Sequence, residues 1–287
     1  MSEQPKLIYS LSARPLINDR WSQGNRLKET VYMTALSILY SHIWYKDIEL
    51  YVDDTAFQFL HMLPCRVTRM PVENDTELWM KSKIQAIQRQ TKPFVHLDTD
   101  VFITKHIPFD FEHCMLERKE DSYALHYKSQ VAFFSKFAGH LPHWNPSLGY
   151  AHNCGIVGFQ SMELKNKFVR AYYELERIYQ EHRKEYQPLK QLCYEPCIVI
   201  EQYNLASLLD YEGIEPTLLL SGNSLTRQSQ QSRELGYNHL YGVSKYKQNI
   251  VAEIEHQLYK IFPYWYAQIK MGLEDKGLLP KPKKIAI

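Results

Sequence analysis

Short apolar segments rich in β-branched and aromatic residues alternate along this chain with longer segments of helical periodicity. Strands are predicted at 7–11, 48–52, 94–97, 123–127, 155–159, 197–201, 217–220 and 239–243. Apolar residues recur at helical spacing in segments that begin near Leu27, Leu78 and Met162. Strands that alternate with helices typically form parallel sheets. The pattern therefore predicts an α/β fold with a mostly parallel central sheet and helices on both faces.

The length of 287 residues suits one large α/β domain or two small ones. Lys and Arg total 34 against 32 Asp and Glu, so the net charge of +2 does not indicate a nucleic-acid binder. A hydrophobic fraction of 45% and a charged fraction of 23% exclude a disordered chain. We predict one domain over 1–250 and a C-terminal helical extension with a basic tail over 251–287.

Sequence signals of cellular location indicate a cytoplasmic protein. The chain has no apolar run of about 18 residues and no apolar stretch of the signal-peptide kind at its start. Its five cysteines are then expected to be reduced thiols. The aromatic and basic segment 259–270 indicates either peripheral contact with the inner membrane surface or a helix packed on the domain, and both interpretations stay open.

The strand predicted at 94–97 runs directly into Asp98, Thr99 and Asp100. Residues two apart on a strand point to the same side, so both carboxylates would face one site if the strand continues. Ligands of parallel α/β sheets bind beyond the carboxyl ends of the strands, and two carboxylates suit Mg²⁺ or Mn²⁺. The alternative is a turn in which these residues simply end the strand.

The usual glycine-rich phosphate-binding motifs, G-x-G-x-x-G and G-x-x-x-x-G-K-[ST], are absent from the sequence. A bound nucleotide would therefore depend on a metal and on basic side chains. His239 offers an imidazole ligand for a Mn²⁺-like ion, Gly242 permits close backbone approach, and Lys245 offers a charge to phosphate. A single His or Lys, however, is more often structural or solvated.

Two further segments carry polar residues next to apolar ones. Glu201 and Gln202 lie at a predicted strand-to-helix junction, where polar side chains reach a site. The alternative there is an ordinary helix start with an acid in its first turn. Asn153 and Gly155 begin an apolar strand, and the alternative there is a turn before a core strand.

The order of these segments resembles nucleotide-sugar glycosyltransferases of the GT-A (Rossmann-like) fold. It is most similar to the retaining family 8 group, which includes glycogenin and bacterial lipooligosaccharide galactosyltransferases. That family has a strand ending in D-x-D, then N-[SA]-G-V, D-Q-D-x-L-N and H-x-x-G-x-x-K-P-W. This chain has DTD (98–100), NCGIV (153–157), EQYNL (201–205) and HLYGVSK (239–245) in the same order. It departs from the pattern at Glu201 and Tyr203, which replace two acids, and at Tyr246 and Lys247, which replace Pro-Trp.

The resemblance implies a metal-dependent glycosyltransferase that moves a hexose from a nucleotide-diphosphate sugar, a UDP-sugar, to an acceptor hydroxyl with retention. It assigns Mn²⁺ or Mg²⁺ to Asp98, Asp100 and His239. It places Gln202 near the reactive carbon of the sugar, with Glu201 as a candidate nucleophile or base. The other implied donor-binding residues are Leu11, Ser12, Lys83, Asn153, Gly155, Gly242 and Lys245. The acceptor would be a saccharide, a lipid-linked sugar or a protein.

Other function classes remain open at this point. One is a catalytically inactive GT-A-like binding protein, and the other is a sugar-nucleotide hydrolase or nucleotidyltransferase with the same metal-diphosphate site. The polar segment 223–238 is predicted to be a long loop that closes over the donor, with a permanently solvated connection as the alternative.

Overall fold

The computed structural model describes residues 5–17, 25–71, 75–192, 195–222 and 224–279. The strands in this part of the chain are β1 (Lys6–Leu11), β2 (Ile48–Val52), β3 (Arg66–Arg69), β4 (Phe94–Leu97), β5 (Val101–Ile103), β6 (Cys114–Asp121), β7 (Tyr150–Phe159), β8 (Thr217–Leu218) and β9 (Tyr237–His239). The first helices are α1 (Arg14–Ile17), α2 (Leu27–Trp44), α3 (Asp54–Leu60), α4 (Lys81–Gln88), α5 (Leu125–Ser135) and α6 (Met162–Glu181). They are followed by α7 (Arg183–Lys190), α8 (Pro196–Ile198), α9 (Asn204–Glu212), α10 (Leu225–Leu235), α11 (Gln248–Ile261) and α12 (Pro263–Asp275).

Seven strands form the central sheet in the order β3-β2-β1-β4-β7-β6-β8. Strands β3, β2, β1 and β4 run parallel to one another, and β8 is parallel to β6. Strand β7 runs antiparallel to both β4 and β6. The predicted α/β fold with a mostly parallel central sheet is therefore confirmed.

Helices cover both faces of this sheet because successive strand residues point to opposite sides. Ile8 of β1 packs into a core cluster with Ile84 of α4 and Phe168 of α6. Its neighbour Leu7 packs into the opposite cluster, which contains residues of α2, α11 and α12. Burial on both faces explains why β2 and β4 are buried at every position rather than at alternate positions.

A two-stranded ribbon of β5 and β9 lies beside the central sheet. Val101 pairs with His239 and Ile103 pairs with Tyr237 in antiparallel register. The hydroxyl of Ser37 on α2 donates a hydrogen bond to the Val101 carbonyl, so the ribbon is fixed to the helix layer. This pairing joins two segments that are far apart in the sequence.

The strand predicted at 197–201 is wrong. This segment lies in a continuous helical stretch that comprises α8, a π-helical turn over Val199–Tyr203, and α9. Pro196 occupies a first position of α8, where its fixed φ favours helix. Val199 and Ile200 are fully buried, and a short buried apolar run does not distinguish a strand from a helix.

The strand predicted at 123–127 is also wrong, because α5 begins at Leu125 and Tyr123 is exposed. The strand in this region is β6, whose second half alternates between partly exposed and exposed charged residues. The predicted strand 239–243 is displaced as well, since β9 ends at His239 and a 3₁₀ turn follows over Gly242–Tyr246.

The segment 223–238, predicted to be a long loop, is mostly helix α10 and strand β9. The Ser224 hydroxyl caps the helix by accepting from the Arg227 backbone N–H, and Gly236 ends the helix in the left-handed conformation at φ +97°. Buried Gln228 donates its side-chain N–H to the carbonyl of Gly222. A helix joined to a paired strand replaces the predicted loop, and Asn223 lies outside the described residues.

Helices α11 and α12 pack against α2. Tyr40 donates its hydroxyl to the Gln257 side chain at 3.0 Å, and the rings of Tyr32 and Tyr266 stack at 5.7 Å. Among the described helices, none has the length and apolar content to cross a membrane. Residues 280–287 of the predicted basic tail, and Cys193, lie outside the described residues. The division into 1–250 and 251–287 stays a prediction.

Candidate functional site

The carboxyl ends of two adjacent parallel strands form the base of the site. Strands β1 and β4 pair directly, so the chain after Leu11 and the chain after Leu97 leave the sheet at the same edge. Strand β4 does not continue through the acidic motif, as Asp98 and Asp100 stand in a turn closed by a bond from Val101 N–H to the Asp98 carbonyl. The two interpretations of this motif are therefore compatible. Asp98 and Asp100 end the strand in a turn, and they remain candidate metal ligands.

The antiparallel pairing of β7 with β4 brings a second predicted segment to this edge. The Asp98 N–H donates to the Gly155 carbonyl at 2.8 Å. The Asn153 side-chain oxygen accepts from the Gly155 N–H at 2.9 Å, while its amide donates to Glu120 at 2.9 Å. Both polar ends of Asn153 are thus fixed within the sheet beside Asp98.

The β5–β9 ribbon supplies the third segment. Asp100 immediately precedes β5 and His239 ends β9, so the pairing of Val101 with His239 places these side chains together. The Leu240 N–H also donates to the Asp100 carbonyl at 3.1 Å. His239 and Asp100 meet although 138 residues separate them in the sequence.

Asp98, Asp100 and His239 form a group with metal-ligating geometry. One ligand atom from each residue lies within 4.8 Å of the others. The Oδ1 atom of Asp100 is buried and has no hydrogen-bond partner among the described residues. Two carboxylate oxygens and an imidazole nitrogen are a suitable ligand set for Mn²⁺, and the orphaned oxygen fits a position that a cation would satisfy.

Two lysines approach the carboxylates of this group. The Lys245 ammonium lies 2.5 Å from Asp100 Oδ2, and the Lys83 ammonium lies 2.9 Å from Asp98 Oδ1. Burial would raise the pKa of Asp100, but Lys245 and His239 outweigh it and lower that pKa. Burial raises the pKa of Asp98, against the opposing charge of Lys83. Asp100 is therefore the more firmly ionised carboxylate.

A buried carboxylate that the sequence did not indicate holds the imidazole of His239. Glu117 Oε2 lies 2.8 Å from His239 Nδ1, and His239 Nε2 lies 3.5 Å from Asp100 Oδ1. Burial would lower the pKa of His239, but the two carboxylates outweigh it and raise that pKa to about 10. Glu117 lies on the missed strand β6, and no motif distinguishes it from its charged neighbours.

The glycine at position 155 allows the histidine ring to lie against the sheet. A Cβ atom added at Gly155 would clash with the His239 ring. Gly242 has a different role, since its φ of +59° is left-handed and its Cβ position faces open space. The close approach of a bound nucleotide to the Gly242 backbone stays a prediction.

A cleft of about 370 Å³ opens over this group. The residues of the predicted site that line it are Leu11, Ser12, Lys83, Asp98, Asp100, Asn153, Gly155, Gln202, His239, Gly242 and Lys245. Ser12 is fixed by Asp53, whose carboxylate accepts from the Ala13 N–H at 2.7 Å. Tyr241 also lines the cleft, and sequence reasoning missed it.

Glu201 lies deeper than the other predicted residues. Its side chain is 1% exposed and its Oε1 lies 2.9 Å from the Lys83 ammonium, which also donates to the Cys154 carbonyl at 2.6 Å. Burial raises the pKa of Glu201 to about 7, although Lys83 opposes the shift. Its neighbour Gln202 faces the cleft, and its side-chain oxygen accepts from the Tyr127 hydroxyl at 2.6 Å.

A comparison with protein-family models assigns the chain to a family. A family model described as "Family of unknown function (DUF6734)" matches residues 18–271. The chain belongs to this family. The span that matches DUF6734 includes every predicted site residue except Leu11 and Ser12. No curated protein sequence matches the chain.

Several solved structures of glycosyltransferases are similar to this DUF6734 chain at low identity. The apo bifunctional glycosyltransferase WbbM gives a TM-score of 0.47 at 8% identity, over 95% of this chain and 52% of WbbM. The galactosyltransferase LgtC, in complex with donor and acceptor sugar analogues, gives 0.44 at 10% identity, over 92% and 99%. The apo glycosyltransferase GlyE of Streptococcus pneumoniae TIGR4 gives 0.43 at 8% identity, over 96% and 64%. This chain thus spans about half of the length of WbbM.

Proposed function

We propose that this DUF6734 protein is a metal-dependent glycosyltransferase that moves a hexose from a UDP-sugar to an acceptor hydroxyl with retention. The observation that carries the proposal is the convergence of Asp98, Asp100 and His239 in one cleft with Lys245. These side chains come from two distant segments, and both segments match the order of motifs in the family 8 glycosyltransferases. If the motif matches had arisen by chance, their residues would not be expected to lie together at one edge of the sheet.

The three ligating side chains would hold Mn²⁺ or Mg²⁺. When bound, such an ion supplies Lewis-acid stabilisation of the negative charge that develops on the leaving diphosphate. Lys245 adds a second positive charge at the mouth of the site, and its flexible side chain can turn from Asp100 towards a donor phosphate. The site thus provides for a diphosphate without a glycine-rich loop.

The remaining cleft residues define where the donor lies in this proposal. Leu11 and Ser12, at the end of β1, border the nucleoside. Asn153 and Gln202 offer amide groups to the sugar, and both amides are already held by neighbours. Side chains that are already held by hydrogen bonds lose little conformational entropy when they bind a sugar. This favours a defined orientation of the sugar. Glu201 acts through Lys83 here, because its carboxylate is buried behind that ammonium.

The acceptor in this proposal is a saccharide, a lipid-linked sugar or a protein, reached from the open side of the cleft. The junction of α11 and α12 exposes Tyr259, Ile261 and Tyr264, of which Tyr264 is 64% exposed. Exposed aromatic and aliphatic side chains beside lysines suit peripheral contact at a membrane surface. This contact and a cytoplasmic location remain part of the proposal.

Product analysis with labelled donors tests the activity. We expect the purified protein with Mn²⁺ to transfer label from one UDP-hexose of a panel to an added saccharide mixture. Removal of the metal with EDTA should stop the transfer, and added Mn²⁺ should restore it.

The other outcomes identify the alternatives. If all of the consumed donor appears as free labelled sugar and none is transferred, the protein is a sugar-nucleotide hydrolase. Formation of a new nucleotide bond would indicate a nucleotidyltransferase. UDP-sugar binding without any turnover across the panel would support a binding protein and contradict the proposal.

A further inference from the structure

The strand β6 carries a carboxylate, Glu117, that is completely buried directly behind His239. We propose that Glu117 is a positioning residue that fixes His239 so that Nε2 faces the metal position. This inference rests on the proposed metal site and adds a determinant of its affinity that lies outside the cleft. Glu117 would act through His239 and would touch neither the metal nor the donor.

The two oxygens of Glu117 have separate partners. Oε2 accepts from His239 Nδ1 at 2.8 Å. Oε1 accepts from the hydroxyl of Tyr241 at 2.7 Å and from the hydroxyl of Tyr237 at 3.3 Å. The two tyrosines flank His239 along the chain, so one short segment both supplies the imidazole and holds the carboxylate that orients it.

The bond from Nδ1 decides which nitrogen is free. An imidazole that donates from Nδ1 to a carboxylate can present the lone pair of Nε2 to a metal once Nε2 gives up its proton. Nε2 of His239 faces Asp100 Oδ1 at 3.5 Å. The Gly155 backbone and the Tyr241 ring, whose centroid is 4.1 Å from that of His239, restrict the ring on its sides.

A gain in stability alone is a weak explanation for a charged group in this position. Among the described residues, His239 is the one ion-pair partner of Glu117. The adjacent Arg118 pairs instead with Glu120 at 2.8 Å and lies over the Tyr241 ring. A carboxylate at 0% exposure is costly to desolvate, and an apolar side chain would often be as stable or more so. The presence of this charge is explained if it serves the cation site in front of it.

The test is the affinity for Mn²⁺ alone, read from the EPR signal of free Mn²⁺. Glu117→Gln keeps the size of the side chain and an oxygen that accepts from Nδ1, but it removes the charge. We expect this variant to bind Mn²⁺ about 10- to 100-fold more weakly, the usual effect of changing a residue that orients a metal ligand. The coupling of Mn²⁺ to imidazole nitrogen in pulsed EPR should weaken in parallel, and His239→Ala should abolish it.

Glu49→Gln is the matched control. Glu49 is another buried glutamate, with the Lys6 ammonium at 2.5 Å and the Thr68 hydroxyl at 2.6 Å, and it does not line the cleft. Its substitution should lower thermal stability and leave the Mn²⁺ affinity unchanged. Tyr241→Phe is a milder second variant, since it removes one hydrogen bond to Glu117 from a partly exposed position. It should weaken Mn²⁺ binding by about 2- to 10-fold.

The possible results test the positioning role of Glu117 separately from the proposed metal site. If the unsubstituted chain binds Mn²⁺ and Glu117→Gln binds it equally well with unchanged nitrogen coupling, the positioning role is wrong and the metal site stands. If Glu117→Gln does not fold, unchanged Mn²⁺ affinity in Tyr241→Phe overturns the role. If the unsubstituted chain binds no Mn²⁺, both the metal site and the inference fall.

Discussion

Replacing Asp98 or Asp100 by Asn is expected to abolish the stabilisation that UDP with Mn²⁺ gives to the protein. Each substitution removes one anionic ligand from a group whose ligand atoms lie within 4.8 Å of one another. Substitution of a residue that orients a metal ligand typically weakens metal binding by about 10- to 100-fold. Loss of a ligand itself should therefore weaken metal binding by at least about 100-fold. The fold should persist, because both residues stand in a turn after β4 rather than within the sheet.

Differential scanning calorimetry measures this effect. A ligand at about 100 times its dissociation constant adds about 2.7 kcal/mol to the free energy of unfolding. For a chain of this size, that corresponds to a rise in Tm of about 5 °C. Asp98→Asn and Asp100→Asn should show almost none of this rise. Asp54→Asn is the control, because Asp54 is an exposed acid paired with Arg69 and should keep the full rise. A full rise in both site variants would remove the basis of the proposed function.

The second large effect is a pair of opposite changes in Lys245→Ala. Without a donor, the Lys245 ammonium lies 2.5 Å from Asp100 Oδ2 and competes with a metal ion for that carboxylate. Its removal should therefore strengthen the binding of Mn²⁺ alone by about tenfold. In the presence of Mn²⁺, the same variant should bind UDP about 10- to 100-fold more weakly, because a charge-assisted contact to phosphate is lost.

Calorimetric titrations with Mn²⁺, UDP and uridine distinguish these effects. Uridine has no phosphate, so its affinity should not change in Lys245→Ala. Lys247→Ala removes the same charge from an exposed position two residues away and should change none of the three affinities. Equal losses for uridine and UDP would show that Lys245 does not act on the phosphates. Weaker binding of Mn²⁺ alone would contradict its role as a competing cation.

The sequence predicts those site residues that directly follow the end of a strand. An apolar strand followed by Asp98 and Asp100 is visible as a local pattern, and parallel strands bring such ends to one edge. Periodicity contains no information about the pairing of β5 with β9, which brings His239 to Asp100. That contact was indicated only by the order of motifs in the resembling family.

Other features were missed because their signals are ambiguous or non-local. The cap residues Ser224 and Gly236 do mark both ends of α10, but the polar residues between them favoured a loop. Glu117 has no local signal, since it is covered by side chains of β9, which is distant from β6 in the sequence. Periodicity does not distinguish a strand from a buried helix in the apolar run at 197–201, and the tertiary packing decides for helix.

The most direct test of the metal-dependent donor site is a crystal grown with Mn²⁺ and UDP, with data collected at the manganese absorption edge. An anomalous difference peak should lie between Asp98, Asp100 and His239 Nε2, with the UDP diphosphate bound to the same ion and the Lys245 ammonium turned from Asp100 to a phosphate oxygen. A peak at another position, or UDP bound in the cleft with no metal at these three residues, would contradict the proposed site.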